Sequence, residues 1–253
     1  MLLRQDKLHV ELEPTLVLHR RSYRETSLIL ELLTQSYGRI ALVAKGARKA
    51  KDKAGLLQPF QLLSCSWVSR TDLGTLTQVE LSKSHTENQN QSFWQPKLKG
   101  SALYCGLYLN ELMLRCTTRH QEVDGLMALY CNAIEKLAAK QNEALVLREF
   151  EWKMVNLLGY GGSLEVDANN VLLKADQYYQ YLPESGLIES TSTAPLAISG
   201  ESLIELAANN WHNQALQNDA RKLTTQALKP LVGDKPFSSR SLYLGLKKTQ
   251  QKK

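Results

Sequence analysis

The chain has 253 residues, of which 43% are hydrophobic and 22% are charged, as is usual for globular domains. This composition excludes wholesale disorder, and the length fits one large domain or two small ones. No apolar run approaches the roughly 18 residues of a membrane-spanning helix, and the charged start Met1–Lys7 does not read as a secretory signal. We therefore expect a cytoplasmic protein with no membrane contact.

The net charge of +6 is unevenly distributed along the chain. Residues 1–80 carry 12 Lys or Arg against 8 Asp or Glu, and residues 220–253 carry 9 against 1. The middle, residues 81–219, is acidic, with 10 against 16. Basic ends and an acidic middle predict separate surfaces for different partners.

Five short strands are predicted before residue 90, where apolar residues alternate or cluster between turn residues. They are Thr15–His19, Ser27–Thr34, Arg39–Ala44, residues 59–69 and Thr75–Leu81. Five strands within about 70 residues, with the longest interruption between the third and fourth, favour an oligonucleotide-binding (OB) β-barrel. An SH3-like barrel or a small sandwich also fits this pattern.

A basic segment, residues 45–53, follows the third predicted strand. It contains five cations and one acid: Lys45, Arg48, Lys49, Lys51 and Lys53, with Asp52. Because it holds no apolar residue larger than alanine, we expect a loop that contributes nothing to a core. A polyanion is its natural partner, and nucleic acid is the commonest one. The alternative is a solvated loop whose lysines serve solubility.

Helical periodicity replaces the strand pattern after a polar stretch at residues 83–96, which we interpret as a linker. We predict an OB domain over 1–82, a helical domain over 97–246 and a basic, frayed tail over 247–253. An irregular insertion with short strands at Val171–Leu173 and Tyr178–Leu182 is expected at about 163–198. The predicted helices cover residues 98–116, 123–139, 142–158, 200–210 and 216–231.

The search for catalytic or metal-binding patterns is negative. The cysteines, at positions 65, 105, 116 and 131, form no Cys-x-x-Cys pair, and the five histidines are scattered. We predict no zinc, no disulfide and no cofactor. The glycine-rich run Gly159–Gly162 follows a predicted helix, where glycine ends helices, whereas phosphate-binding loops precede them. The sequence therefore favours a non-enzymatic protein.

Several segments together resemble the RecO family of DNA repair proteins. The matches run in order from about residue 16 to 240. They are residues 23–30 (YRETSLIL), 38–48 (GRIALVAKGAR), 57–60 (LQPF), 73–76 (LGTL), 108–112 (YLNEL), 157–161 (LLGYG), 228–231 (LKPL) and 235–240 (KPFSSR). The combination is specific, although each segment alone would be weak.

The resemblance implies a recombination mediator with an N-terminal OB barrel and a C-terminal helical domain. Such proteins bind single- and double-stranded DNA, anneal complementary strands and work with RecR. They help RecA replace single-strand-binding protein on gapped DNA and contact that protein's acidic C-terminal tail. The resemblance also implies a location in the cytoplasm, in association with the nucleoid. Many members carry a four-cysteine zinc site, but residues 163–190 hold no cysteine, which places this chain in the zinc-free branch.

The basic residues near the predicted strand ends are the candidate DNA-binding residues. They are Arg24, Arg39, Lys45, Arg48, Lys49, Lys51 and Lys53. If the barrel forms, they are expected to line one positively charged groove for phosphates. Tyr23 and Tyr37 are candidates for base stacking, whereas Trp67 is more typical of a core residue.

For the helical domain, the sequence predicts a hydrophobic groove rimmed by cations, suited to an acidic peptide that ends in an apolar residue. Candidate rim cations are Arg115, Arg119, Arg148, Lys153 and Arg221. Two other functions stay open for the whole chain: an RNA-binding OB module, and a nucleic-acid-modifying enzyme built on a barrel.

Overall fold

The computed structural model of the chain describes residues 7–82 and 94–250. The fold is α+β, with strands first and helices after them. The chain forms two compact units: a barrel unit of Met1–Lys97 with Asn110–Met127, and a helical unit of Leu98–Leu109 with Ala128–Lys253. Over the described ranges, none of the helices has the length and hydropathy that crossing a bilayer requires.

Five strands build the barrel unit, as the sequence predicts. They are β1 Leu8–Tyr23, β2 Ser27–Thr34, β3 Arg39–Ala44, β4 Leu62–Ser69 and β5 Leu73–Leu81. Each strand pairs with two others, so that the pairings close in the order β1-β2-β3-β5-β4. Only β3 and β5 run parallel among these pairs. The sequence predicts the bounds of β2 and β3 correctly.

Strand β1 is much longer than the predicted Thr15–His19. Its first half pairs with β4 and its second half with β2, with irregular register between Val10 and Glu13 and between Val17 and His19. Leu12 lies at the first irregularity with a φ of 50°. A bulge interrupts the alternation of apolar and polar residues, so the first half of the strand does not show as a period-two pattern.

The barrel interior is packed with side chains from all five strands. Leu30, Leu42, Leu63 and Trp67 are among its members. Ala47 of the basic segment also belongs to this core and is fully buried. The expectation that residues 45–53 contribute nothing to a core is therefore wrong: alanine is small, but the segment turns inward at this position.

The last part of the basic segment is a short helix, α1 Lys51–Leu56, and not a loop as expected. Arg20 donates from Nη1 to the carbonyl oxygens of Ala54 at 3.1 Å and Leu57 at 3.3 Å. A cation at this position satisfies carbonyl groups that the end of a helix leaves unpaired. Arg20 thus fixes α1 to β1.

The outer face of β1, β2 and β3 is covered within the barrel unit. Successive residues of a strand point to opposite faces, and Ile29 and Leu33 alternate with the core-facing residues of β2 but are equally buried. Residues 110–127 supply contacts to these strands: Asn110 donates from Nδ2 to the Leu18 carbonyl at 3.0 Å, and His120 N donates to the Arg39 carbonyl. The segment is therefore part of the barrel unit.

The helical unit contains most of the helices and a small sheet. Its elements are α2 Ser101–Cys116, which ends in the barrel unit, α3 Leu126–Ala138, α4 Glu143–Leu157, β6 Tyr178–Leu182, β7 Gly186–Ser190, β8 Ile198–Ser199, α5 Gly200–Ala207, α6 Gln217–Val232 and α7 Ser238–Gln250. Asn142 caps α4 by accepting from the backbone of Ala144 and Leu145. Gly159 follows α4 with a φ of 80°, as a glycine after a helix does.

Two features of this unit differ from the sequence prediction. Val171–Leu173 is not a strand: Leu172 makes a single bridge to Val166 and is 72% exposed, so this apolar run joins no sheet. Strand β7, which pairs with β6, is missing from the predicted elements. Helix α6 ends at Val232, one residue beyond the predicted end, with Pro230 in its last turn.

Two predicted segments extend beyond the described residues. Most of the linker 83–96 lies outside them, as do residues 251–253 of the expected tail. The described part of that tail, up to Gln250, continues α7 as helix and is not frayed.

Candidate nucleic-acid interface

The β1–β2 turn and the end of β3 meet at one end of the barrel. The register pairs Tyr23 with Ser27 and Leu28 with Ala44, so the turn at residues 24–26 lies beside the start of the basic segment. A cleft of about 580 Å³ opens here, and its lining includes Tyr23, Arg24, Lys45, Gly46 and Thr75. Three predicted site residues are therefore brought together.

Arg24 and Tyr23 interact within this cleft. The guanidinium carbon of Arg24 lies 5.2 Å from the centroid of the Tyr23 ring, a cation–π distance. Arg24 has a φ of 51°, which a residue at a tight turn adopts at some cost. Arg24 and Lys45 are exposed, whereas Tyr23 is half-buried. The cleft thus combines two accessible cations with an aromatic face.

Arg48 connects the basic segment to the β1–β2 turn. Its Nη1 donates to the carbonyl oxygens of Arg24 and Glu25, each at 3.1 Å, and its backbone N–H donates to the Thr26 carbonyl at 2.9 Å. One side of the cleft is therefore held to the other by a side chain predicted to bind phosphate.

The lysines of the basic segment differ in exposure. Lys49 and Lys51 are exposed, and Lys53 is half-buried on α1. Burial raises the pKa of Cys65 to about 12, opposed by a hydrogen bond to Thr15 and by the nearby charge of Lys53. Lys53 thus has its charge close to the barrel wall, whereas Lys49 and Lys51 face solvent.

Tyr37 and Arg39 lie at the opposite end of the same strands. The β2–β3 register pairs Leu33 with Arg39 and Leu28 with Ala44, five residues apart, or about 16 Å along a strand. The Tyr37 ring packs edge-on against Trp67 with centroids 5.4 Å apart, and Trp67 is only 2% exposed. The structure does not bring these residues together with the cleft.

The guanidinium of Arg39 is already engaged. It donates from Nη1 to Glu31 Oε2 at 2.9 Å, from Nε to Thr117 Oγ1 at 3.1 Å and from Nη2 to the Thr117 carbonyl at 2.8 Å. Arg119 also pairs with Glu31. These contacts hold residues 117–119 against β2 and β3. Arg39 therefore stabilises the packing of this segment on the strands.

Two contributions to the interface were not among the sequence predictions. Thr75 lines the cleft because β5 runs parallel beside β3, a non-local pairing that no local pattern indicates. Gly46 also lines the cleft, and its φ of 68° places it in a turn that follows β3. A glycine directly after a predicted strand is the sequence signal for a turn of this kind.

The helical unit carries a second cleft, of about 640 Å³. Trp152, Lys153, Leu157 and Trp211 are among its lining residues. Lys153 Nζ lies 2.7 Å from Glu149 Oε1, while Lys136 Nζ holds the other carboxylate oxygen at 2.7 Å. Burial acts to raise the pKa of Glu149, but the hydrogen bonds from Lys136 and Lys153 outweigh it and the pKa is lowered. Glu149 is therefore ionised between two lysines.

Lys153 is the predicted rim cation that lines this cleft. Arg115 pairs with Glu111 and Arg119 with Glu31, both within the barrel unit, and Arg221 is exposed on α6. Arg148 pairs with the fully buried Glu151, whose pKa is raised by burial despite Arg148 and the hydrogen bonds from Thr224 and Tyr108. Arg148 thus compensates a buried charge.

No cluster of three or more His, Cys, Asp or Glu side chains suited to a metal occurs in the part of the chain that the structure describes. Cys65, Cys105 and Cys131 carry free thiols. Burial raises the pKa of Cys105 and of Cys131 to about 12, so these sulfurs are protonated at neutral pH.

The fold and its sites define a two-unit protein: a β-barrel with a cationic cleft at one end, followed in the chain by a helical unit with an apolar cleft. Residues 11–85 match the family profile "Recombination protein O N terminal", and residues 98–241 match "Recombination protein O C terminal". The chain belongs to the RecO family.

Curated relatives match over most of the chain. The DNA repair protein RecO of Nitrosococcus oceani is 36% identical over 239 residues, covering 93% of both chains. The protein of the same name from Coxiella burnetii is 39% identical over 236 residues, covering 92% of this chain and 97% of the relative. The protein of the same name from Pseudoalteromonas atlantica is 37% identical over 230 residues, covering 90% of this chain and 91% of the relative.

Proposed function

We propose that this protein is a DNA-binding mediator of recombinational repair that acts without catalysing a reaction. The observation that carries the proposal is the set of exposed cations around the barrel-end cleft: Arg24, Lys45, Lys49 and Lys51. Membership of the RecO family, whose relatives are named DNA repair proteins, supports DNA as the polyanion. Over the described residues, no group of three or more His, Cys, Asp or Glu side chains could hold a metal ion.

We assign the barrel to the OB type. The strand order β1-β2-β3-β5-β4 and a helix between β3 and β4 are consistent with such a five-stranded barrel. OB barrels commonly bind oligonucleotides on the face of strands 2 and 3. That face is covered here by residues 110–127, so we place DNA at the end of the barrel, around the β1–β2 turn and the basic segment.

Phosphate neutralisation is the mechanism that we propose for annealing. Lysines on a basic surface release counterions when they bind phosphates, on single strands or on duplex. A surface that holds two complementary strands lowers their mutual repulsion and brings their bases within reach of each other. The contacts are with phosphates, so annealing does not depend on sequence.

The helical unit is assigned to protein partners. We propose that the acidic C-terminal tail of single-strand-binding protein places its apolar end against Trp152 and Leu157 and a carboxylate on Lys153. We further propose that the protein works with RecR and helps RecA to replace single-strand-binding protein on gapped DNA. These tasks place it in the cytoplasm, at the nucleoid.

A strand-annealing assay tests the function directly. Complementary oligonucleotides, bare or coated with single-strand-binding protein, are mixed with the chain, and duplex formation is followed by fluorescence. We expect acceleration in both cases, and acceleration that falls with rising salt. An equal or greater effect on RNA strands would favour an RNA-binding module, and no acceleration would contradict the proposal.

A further inference from the structure

The barrel-end cleft contains an aromatic ring that phosphate binding alone does not use. Tyr23 lines the cleft at its junction with the β1–β2 turn, and its ring is only half-buried. Its hydroxyl makes no hydrogen bond in the described part of the structure. An aromatic ring together with cations in one cleft is the pair of features from which single-strand binding sites are built.

The cleft has the size of a small-molecule site. Its volume of about 580 Å³ lies within the range of roughly 300–1,000 Å³ that pockets for compact ligands have. A single nucleotide is such a ligand, whereas a duplex, whose bases are stacked inside, can present only its backbone. Lys45 and Arg24 on the rim match the phosphate of a nucleotide, and Thr75 offers a hydroxyl within the cleft.

We propose that this cleft takes one unpaired base of the bound strand, which stacks on Tyr23. In the free protein the Arg24 guanidinium lies over this ring, and on binding it leaves the ring for the adjacent phosphate. The proposal rests on DNA binding at this end of the barrel and names the group of the DNA that the cleft selects.

This arrangement distinguishes single strands from duplex. An unpaired base that stacks on an aromatic side chain raises affinity by about 5- to 140-fold. Duplex lacks a free base and keeps only the phosphate contacts, so pairing removes part of the affinity. A strand held through Tyr23 is therefore released when it anneals, which favours turnover onto further single strands.

The test compares three probes at equal salt: an oligothymidylate of about 16 nucleotides, the same chain with abasic positions only, and a duplex of equal length. The unsubstituted protein is expected to bind the oligothymidylate at least about fivefold more tightly than the abasic chain. Tyr23→Leu keeps apolar volume without a ring, and it is expected to weaken oligothymidylate binding by about 5- to 140-fold. Tyr23→Phe is the matched control that keeps the ring.

Abasic and duplex binding should be the same in all three proteins, and thermal unfolding checks their fold. Equal affinity of the unsubstituted protein for the oligothymidylate and the abasic chain would overturn the proposal, even if Tyr23→Leu did not fold. Equal losses of affinity for the oligothymidylate and for the abasic chain in Tyr23→Leu would also overturn the proposal. Failure of the underlying DNA-binding function gives a different result: the unsubstituted protein would then bind none of the three probes in a salt-dependent manner.

Discussion

Arg48 Nη1 donates to the backbone carbonyl oxygen of Arg24 at 3.1 Å, across the boundary between the basic segment and the β1–β2 turn. Two residues that the sequence places in one role, phosphate binding, therefore make different contacts in the structure. Arg24 offers its side chain to the cleft, whereas Arg48 uses its side chain to hold the backbone of Arg24. Arg48 is a positioning residue, and its loss should change the shape of the cleft as well as its charge.

Replacing Arg48 separates these two effects. Arg48→Ala removes one cation and the support of the turn, so we expect weaker binding and a smaller preference for an oligothymidylate over an abasic chain. Arg48→Lys restores the charge but not the forked guanidinium. It should therefore recover the salt slope of DNA binding, which is the change of log K with log salt concentration, but not the full preference for the oligothymidylate over the abasic chain. Lys49→Ala is the matched control, since Lys49 is exposed; it should lower the salt slope and leave the preference intact.

A second prediction concerns the exposed lysines Lys45, Lys49 and Lys51. If each neutralises about one phosphate, changing all three to alanine should reduce the salt slope on single strands by roughly 0.7 per residue, or about 2 in all. Binding should weaken uniformly across sequences, and annealing should fall in parallel. Titrations at several salt concentrations measure the slope. An unchanged slope would show that these lysines are merely solvated and that DNA binds elsewhere.

The periodicity of the sequence predicted β2 and β3 with their bounds, because both strands have local patterns and clear turns. The barrel-end cleft was predicted only in part. Tyr23, Arg24 and Lys45 follow from their places at strand ends. Thr75 reaches the cleft through the parallel pairing of β3 with β5, which pairs it with Val43, 32 residues away along the chain. Pairings between distant segments leave no local signal.

The separation of Tyr37 and Arg39 from the cleft has a related cause. Sequence order places Arg39 close to Lys45, but a strand of six residues carries its two ends to opposite ends of a barrel. A register fixes this distance once the strands are known. The engagement of Arg39 by Thr117 is a contact over 78 positions and could not be predicted from the local sequence.

Gly38 provides a test of the contact between the barrel and residues 110–127. It has a φ of 62°, and a Cβ at this position would overlap the backbone carbonyl of Gln121. We expect Gly38→Ala to destabilise the barrel unit by about 2–4 kcal/mol, because backbone strain and the overlap add. Gly46→Ala is the control for strain alone: its φ is 68° but nothing lies within 4 Å of the added Cβ, so about 1 kcal/mol is expected. Thermal and denaturant unfolding of both variants measure the difference, and equal stabilities would contradict the close packing of Gln121.

The ion pairs of Glu149 predict a pH-dependent stability. Burial opposes ionisation, but Lys136 and Lys153 outweigh it, so the pKa of Glu149 is lower in the folded than in the unfolded protein. The stabilisation is then complete above the unfolded pKa of about 4.3 and is lost as the pH falls through the folded pKa. The difference in Tm between the unsubstituted protein and Glu149→Gln should be constant from about pH 8 to pH 5 and shrink below about pH 4.3. A difference that grows as the pH falls would contradict the lowered pKa.

The same carboxylate affects binding of an acidic peptide to the helical unit. At neutral pH the Glu149 carboxylate forms an ion pair with the Lys153 ammonium group at 2.7 Å. A carboxylate of a partner peptide therefore competes with Glu149 for this ammonium group. Lys153 is 36% exposed, and pairs of such exposure contribute up to about 1 kcal/mol. Glu149→Gln should therefore raise the affinity for a peptide with the acidic tail sequence of single-strand-binding protein by about two- to fivefold.

Lys153→Ala should have the opposite effect. A pair with an ammonium group of this exposure contributes up to about 1 kcal/mol, so its loss is expected to weaken peptide binding by up to about fivefold. Arg221→Ala is the matched control, because it removes an exposed cation of the same unit that does not line the cleft. Fluorescence anisotropy of a labelled peptide with the full chain gives the three affinities. If Lys153→Ala and Arg221→Ala weaken binding equally, attraction by the general charge of the unit explains the data and the cleft is not the docking site. If Lys153→Ala alone weakens binding while Glu149→Gln strengthens it, the peptide carboxylate takes the place that Glu149 holds in the free protein.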